Sequence, residues 1–146
     1  MMDAQEKVKL EKRWRKLQGV LGYTDEELEI YRAQPKKVKA LEEGARFATH
    51  NIVIEIIDAH NCAMGYRTGD KFVVDGGGAL VLDQCPHRLC VGAIAAFKTL
   101  TDRMWQAFYD GKSEVLHDTV HCPDVGLREG GWGMITMRVS SAAKEK

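Results

Sequence analysis

The sequence predicts an α+β fold: a small antiparallel sheet packed on one long helix, with a helical N-terminal arm. Three observations predict it. The run NIVIEIIDA at 51–59 is β-branched and bounded by turn-like residues, the pattern of a strand. Between 87 and 109, Cys90, Ile94, Phe97, Leu100, Met104 and Phe108 recur at the 3.6-residue period and place one apolar face toward a sheet. Residues 1–48 are highly charged, lack cysteine and carry short helical patterns.

The arm reads as three helices. Leu10, Trp14, Leu17 and Leu21 share a helical face, which predicts a helix over about 5–18. Thr24 and Glu27 form a capping-box pattern, and Pro35 stops the short helix that follows. A third helix, about 36–47, carries Val38, Leu41, Ala45 and Phe47. Short charged helices bury little by themselves, so the arm is expected to need a surface, on the core domain or on a second subunit. The core is expected over 49–140 and a disordered tail over 141–146.

Within the core, DKFVVD predicts a second strand, ALVLD a third after the GGG turn at 76–78, EVLHDTVHC a fourth and MITMRV the last. PDVGLREGGWG reads as a loop. Its glycines lack the dinucleotide fingerprint, and DGGGAL lacks the Lys-Ser/Thr of a phosphate-binding loop, so no nucleotide cofactor is expected. Trp132 reads as packing over the core in preference to a ligand.

The 146 residues carry 21 basic and 21 acidic side chains, a formal net charge of zero. That balance argues against a nucleic-acid or anionic-membrane partner and leaves self-association electrostatically easy. No apolar run reaches membrane-spanning length, and the charged N-terminus lacks a signal-peptide core, so the expected location is cytoplasmic. Persistent disulfides are unusual there, so the four cysteines are read as free, catalytic or metal-bound.

Cysteine and histidine coincide at His60-Asn-Cys62, at Cys85-Pro-His87-Arg-Leu-Cys90 and at His121-Cys122. Each place ends a predicted strand or opens the predicted helix. If the strands are neighbours, Cys62, Cys85 and Cys122 converge near the helix start, with His60 as a fourth donor. Thiolates suit zinc, iron or an iron–sulfur cluster. The helix N-terminus would favour a Cys85 thiolate that caps its amides. The spacing matches no closed zinc template, and Cys90 reads equally as a core residue. A catalytic alternative uses Cys85 or Cys122 as nucleophile, His60, His87 or His121 as acid–base, and Asp124 to orient the histidine. Turn chemistry is the simpler reading of Asp70 and Asp124. The third reading is structural: cysteines packed in the core of an interaction module with no ligand.

The motif order Cys62-x2-Gly65, Gly69-Asp70, Cys85-Pro86, an apolar helix, then Cys122-x-Asp124 and a closing strand resembles a family of small, largely uncharacterised prokaryotic cysteine-containing proteins. The resemblance spans about residues 52–139. It implies a small α+β fold and a shared cysteine site, and it carries no activity. The reading that results is a small accessory or binding protein with a cysteine- and histidine-lined metal or iron–sulfur site, working as a homo-oligomer or with a partner enzyme; a small thiol enzyme is the first alternative and a ligand-free interaction module the second.

Overall fold

Residues 1–145 are described by the computed structural model, without the side chains of residues 43 and 45. Lys146, part of the expected tail, lies outside the described residues. The chain divides into two compact units, residues 1–45 and 46–146.

The first unit holds α1 (Ala4–Leu21), α2 (Asp25–Arg32) and α3 (Pro35–Glu43). Two capping boxes start the first two helices. Asp3 accepts from the Glu6 amide at 2.8 Å, and the Glu6 carboxylate accepts from the Asp3 amide. Thr24 and Glu27 make the same reciprocal pair, as their spacing predicts. Pro35 opens α3 at a position where its missing N–H costs no helical bond. Trp14 and Leu28 are buried. The Trp14 ring meets Tyr31 edge-on at 5.5 Å, and the Arg32 guanidinium lies over it at 5.0 Å. The arm therefore gathers its own aromatic cluster.

The second unit begins within a one-turn helix, α4 (Ala45–Thr49). It continues through β1 (His50–His60), β2 (Lys71–Val74), the long helix α5 (Val91–Tyr109), β3 (Thr119–His121) and β4 (Met134–Ala143). The four strands form an antiparallel sheet in the order β2-β1-β4-β3. Ile52, Ile54 and Ile56 of β1, Phe72 and Val74 of β2, and Ile135, Met137 and Val139 of β4 form one buried core with Ala93, Phe97, Leu100, Met104 and Phe108 of α5. Phe97, Leu100, Met104 and Phe108 of the predicted helix face are the residues that meet the sheet.

A bulge in β1 positions the site. Ile56 pairs with Met137, but Asp58 pairs with Thr136, so Ile57 is an extra residue. The inward set shifts from Ile52, Ile54 and Ile56 to Ala59, which packs against the core. Asp58 and His60 then share the outer face, where His60 Nε2 lies 3.2 Å from the Asp58 carboxylate. Without the bulge, the alternation would drive Asp58 into the core.

Several boundaries differ from the sequence reading. ALVLD is no strand: only Leu80 bridges to Val74, and Leu82–Gln84 turn as a 3-10 helix. The Asp75 turn returns the chain to the β2 edge for one pair; Val81 donates to the Val73 carbonyl, and the Cys85 sulfur takes the Val73 amide. EVLHDTVHC contributes only Thr119–His121, and Leu116 is exposed. α5 starts at Val91, later than the predicted 87. β4 runs to Ala143, three residues past the expected core boundary, with Ala142 paired to Asn51.

Candidate functional site

The end of the sheet where β1 closes and β4 opens carries most of the chemistry. Three of the four cysteines border it. Cys62 follows β1. Cys122 follows β3 and is tied to β4: its amide donates to the Ile135 carbonyl at 3.0 Å, and its sulfur accepts from the Ile135 amide at 3.5 Å. Cys90 is the N-cap of α5, and both its sulfur and Pro123 pack beside Gly92. All three are half-buried and touch the core.

Tyr66 joins these pieces. Its buried phenol donates to the Arg88 carbonyl at 2.6 Å and accepts from the Cys90 amide at 2.8 Å. The hydroxyl thus satisfies an amide at the helix start that no side-chain cap reaches. Burial raises the Tyr66 pKa above the ordinary phenol value, and the hydrogen bond from the Cys90 amide offsets part of that rise.

Cys85 stands apart. The sequence places it at the helix start as a capping thiolate; the structure places it after the 3-10 turn, at the outer edge of β2. Its sulfur accepts from the Val73 amide at 3.3 Å and donates to the Val73 carbonyl at 3.6 Å. The expected grouping of Cys62, Cys85, Cys122 and His60 is not assembled as a ligand set. Among the described residues, no three His, Cys, Asp or Glu side chains are placed to hold a metal ion together.

The proposed acid–base partners are also separate. His87 is exposed. The His121 ring pairs through Nδ1 with the Cys122 carbonyl, and His60 faces Asp58. Asp124 orients no histidine. Its carboxylate accepts from the amides of Gly126 at 2.9 Å, Trp132 at 3.0 Å and Gly133 at 3.2 Å. Those bonds, led by the one from Gly126 and then the one from Gly133, hold its pKa below the usual carboxylate value. Asp70 likewise serves its turn, accepting from the Arg67 amide at 2.9 Å.

The Asp124 ring closes a rigid loop. A side chain at Gly131 would put its Cβ 2.1 Å from the Asp124 carboxylate, and one at Gly133 would put it 2.0 Å from the Asn61 carbonyl. Only glycine permits these approaches. Gly131 also donates to the Gly126 carbonyl at 2.7 Å. The loop does not bury its tryptophan: Trp132 is 83% exposed, contrary to the core packing that its sequence favours. Leu127, in the 3-10 turn Leu127–Glu129, is 71% exposed. Beside them lies an open groove of about 610 Å³, lined in part by His60, Asn61, Val125, Leu127, Arg128 and Met134. Sequence reasoning missed this groove; the density of glycines around Trp132 was the available signal.

Comparison with family models, with curated proteins and with solved structures finds no match to the chain. No helix among the described residues is long and apolar enough to cross a membrane.

Proposed function

We propose that this chain is an accessory or binding protein whose working surface is the sheet end formed by the Asp124 loop, the groove and the bordering cysteines. One observation carries the reading: Trp132 is held in solvent on a loop that its own backbone amides lock around Asp124. An exposed indole contributes little to folding, whereas a rigid aromatic anchor is what a binding surface uses. The Cys85 and Cys122 thiols, the His121 ring and the Asp124 carboxylate bond to backbone groups and not to one another's side chains, which favours binding over thiol catalysis.

A photo-crosslinking amino acid at position 132, introduced in cells that make the protein, tests the reading. A discrete adduct, absent when the same group replaces exposed Lys98, is the expected result. No adduct at 132 beyond the Lys98 control would overturn it.

Metal capture is the second reading, supported by the gathering of Cys62, Cys90 and Cys122 at this end and by the cysteine site that the resemblance implies. Zinc in a structural site takes four donors. An ion here would draw some of them from a partner or a second copy. Elemental analysis and an absorption spectrum of anaerobically purified protein test it. Near-stoichiometric zinc or iron, lost in Cys62→Ser and Cys122→Ser but kept in Cys85→Ser, is the supporting pattern.

A further inference from the structure

We infer that the occupant of the Trp132 surface is a second copy of this chain, docked across a two-fold axis. The inference rests on the binding reading above and names the partner.

The surface offers both halves of a two-fold contact, an exposed indole and a groove lined by the next residue in the chain, Gly133. A two-fold interface brings the same patch of both subunits together, so it needs a projection and a recess side by side. Trp132 is the projection. The groove, whose wall includes the adjoining Gly133 and the apolar side chains of Val125, Leu127 and Met134, is the recess. Each copy's indole fills the other copy's groove.

It is self-complementary in charge. Arg128 and Glu129 are consecutive, exposed and on the groove wall. Among the described residues neither makes an ion pair. Opposite charges side by side on one patch match a rotated copy of themselves, Arg128 of each subunit meeting Glu129 of the other. A partner of one dominant charge sign would gain from only one of them. The chain's zero net charge leaves no long-range repulsion between copies. The loop is already ordered by Asp124, so docking freezes little backbone.

Sedimentation velocity of the full chain, from low to high micromolar concentration, tests the proposal. The expected result is a monomer–dimer equilibrium in which Trp132→Ala weakens association at least tenfold. Arg128→Glu and Glu129→Arg each weaken it, and the double swap R128E/E129R restores it. Circular dichroism checks that each variant stays folded, as exposed positions should. A species of monomer mass throughout would overturn the inference, as would a dimer indifferent to Trp132→Ala or a double swap no better than either single change. In the crosslinking experiment, an adduct of twice the chain mass supports it. An adduct of any other mass leaves the binding reading standing and overturns the second copy.

Discussion

The Cys85 thiol holds both outward-facing backbone groups of Val73, accepting from its amide at 3.3 Å and donating to its carbonyl at 3.6 Å. Val81 donates to the same carbonyl at 2.8 Å. Together they close the outer edge of β2, which would otherwise present an unpaired amide to solvent or to another strand. Cys85 is thus committed to the sheet edge. Cys85→Ala leaves the nearly buried Val73 amide without its partner and should cost about 1–3 kcal/mol. Cys85→Ser, which keeps a donor and an acceptor, should recover part of that. Urea midpoints measure both; an alanine variant as stable as the parent would show that the thiol contacts contribute nothing.

Asp124 makes stability depend on acid. Its folded pKa lies below the unfolded value because the Gly126, Gly133 and Trp132 amides favour the carboxylate. A depressed carboxylate pKa gives stability that is fully present above the unfolded pKa of about 3.9 and is lost as pH falls through the folded pKa. Asp124→Asn should therefore lower stability at neutral pH and flatten the acid limb of the stability curve. Thermal melts across pH 2–7, roughly the range in which carboxylates titrate, read the difference. Parallel acid limbs for the two proteins would remove Asp124 as its source.

Two glycines should respond to alanine with opposite signs. Gly133 is buried, and an added Cβ would lie 2.0 Å from the backbone carbonyl of Asn61, which has no flexible end to yield. Gly133→Ala should cost on the order of 3 kcal/mol and loosen the Asp124 loop. Gly19 lies inside α1, where an added methyl meets nothing within 4 Å. Gly19→Ala should stabilise by roughly 0.5–1 kcal/mol, because alanine loses less backbone entropy in a helix. Equal effects at the two positions would contradict the close approach at Gly133.

The long elements were legible where their periods run unbroken. Ile52, Ile54 and Ile56 alternate, while Phe97, Leu100, Met104 and Phe108 follow a helical face, and these residues do form the core. Thr24 and Glu27 declared a helix start by chemistry that acts within four residues. What failed depended on distant partners. ALVLD has strand composition, yet its ladder stops after Leu80: the Val81 carbonyl accepts from the Gln84 amide of the 3-10 turn, and the Val73 amide goes to the Cys85 sulfur. The β1 bulge, which redirects Asp58 and His60, exists only in register with Met137 and Thr136. Cysteine spacing similarly could not show that Cys85 faces β2 while Cys62, Cys90 and Cys122 border the opposite strand ends. Tryptophan's usual burial pointed inward for Trp132; the ring of amides around Asp124, invisible in local pattern, holds it out.

Tyr66 supplies the last test, because its hydroxyl is the polar link between the segment after β1 and the start of α5. It accepts from the Cys90 amide and donates to the Arg88 carbonyl, and both bonds vanish in Tyr66→Phe while the ring still fills its place against Phe72 at 5.5 Å. The variant should lose about 1–2 kcal/mol, the cost of leaving such groups without partners. Amide exchange at Cys90 should accelerate more than exchange deep in α5. The phenol adds a signature that a packing defect lacks. Burial raises its folded pKa above the unfolded value of about 10, so the unfolded chain ionises first as pH rises. The advantage of Tyr66 over phenylalanine is then complete below that pH and shrinks above it. Denaturant titrations of both proteins at neutral and at alkaline pH measure the change. A difference that stays constant into the alkaline range would place the loss in ring packing, and the hydroxyl bridge would carry no stability.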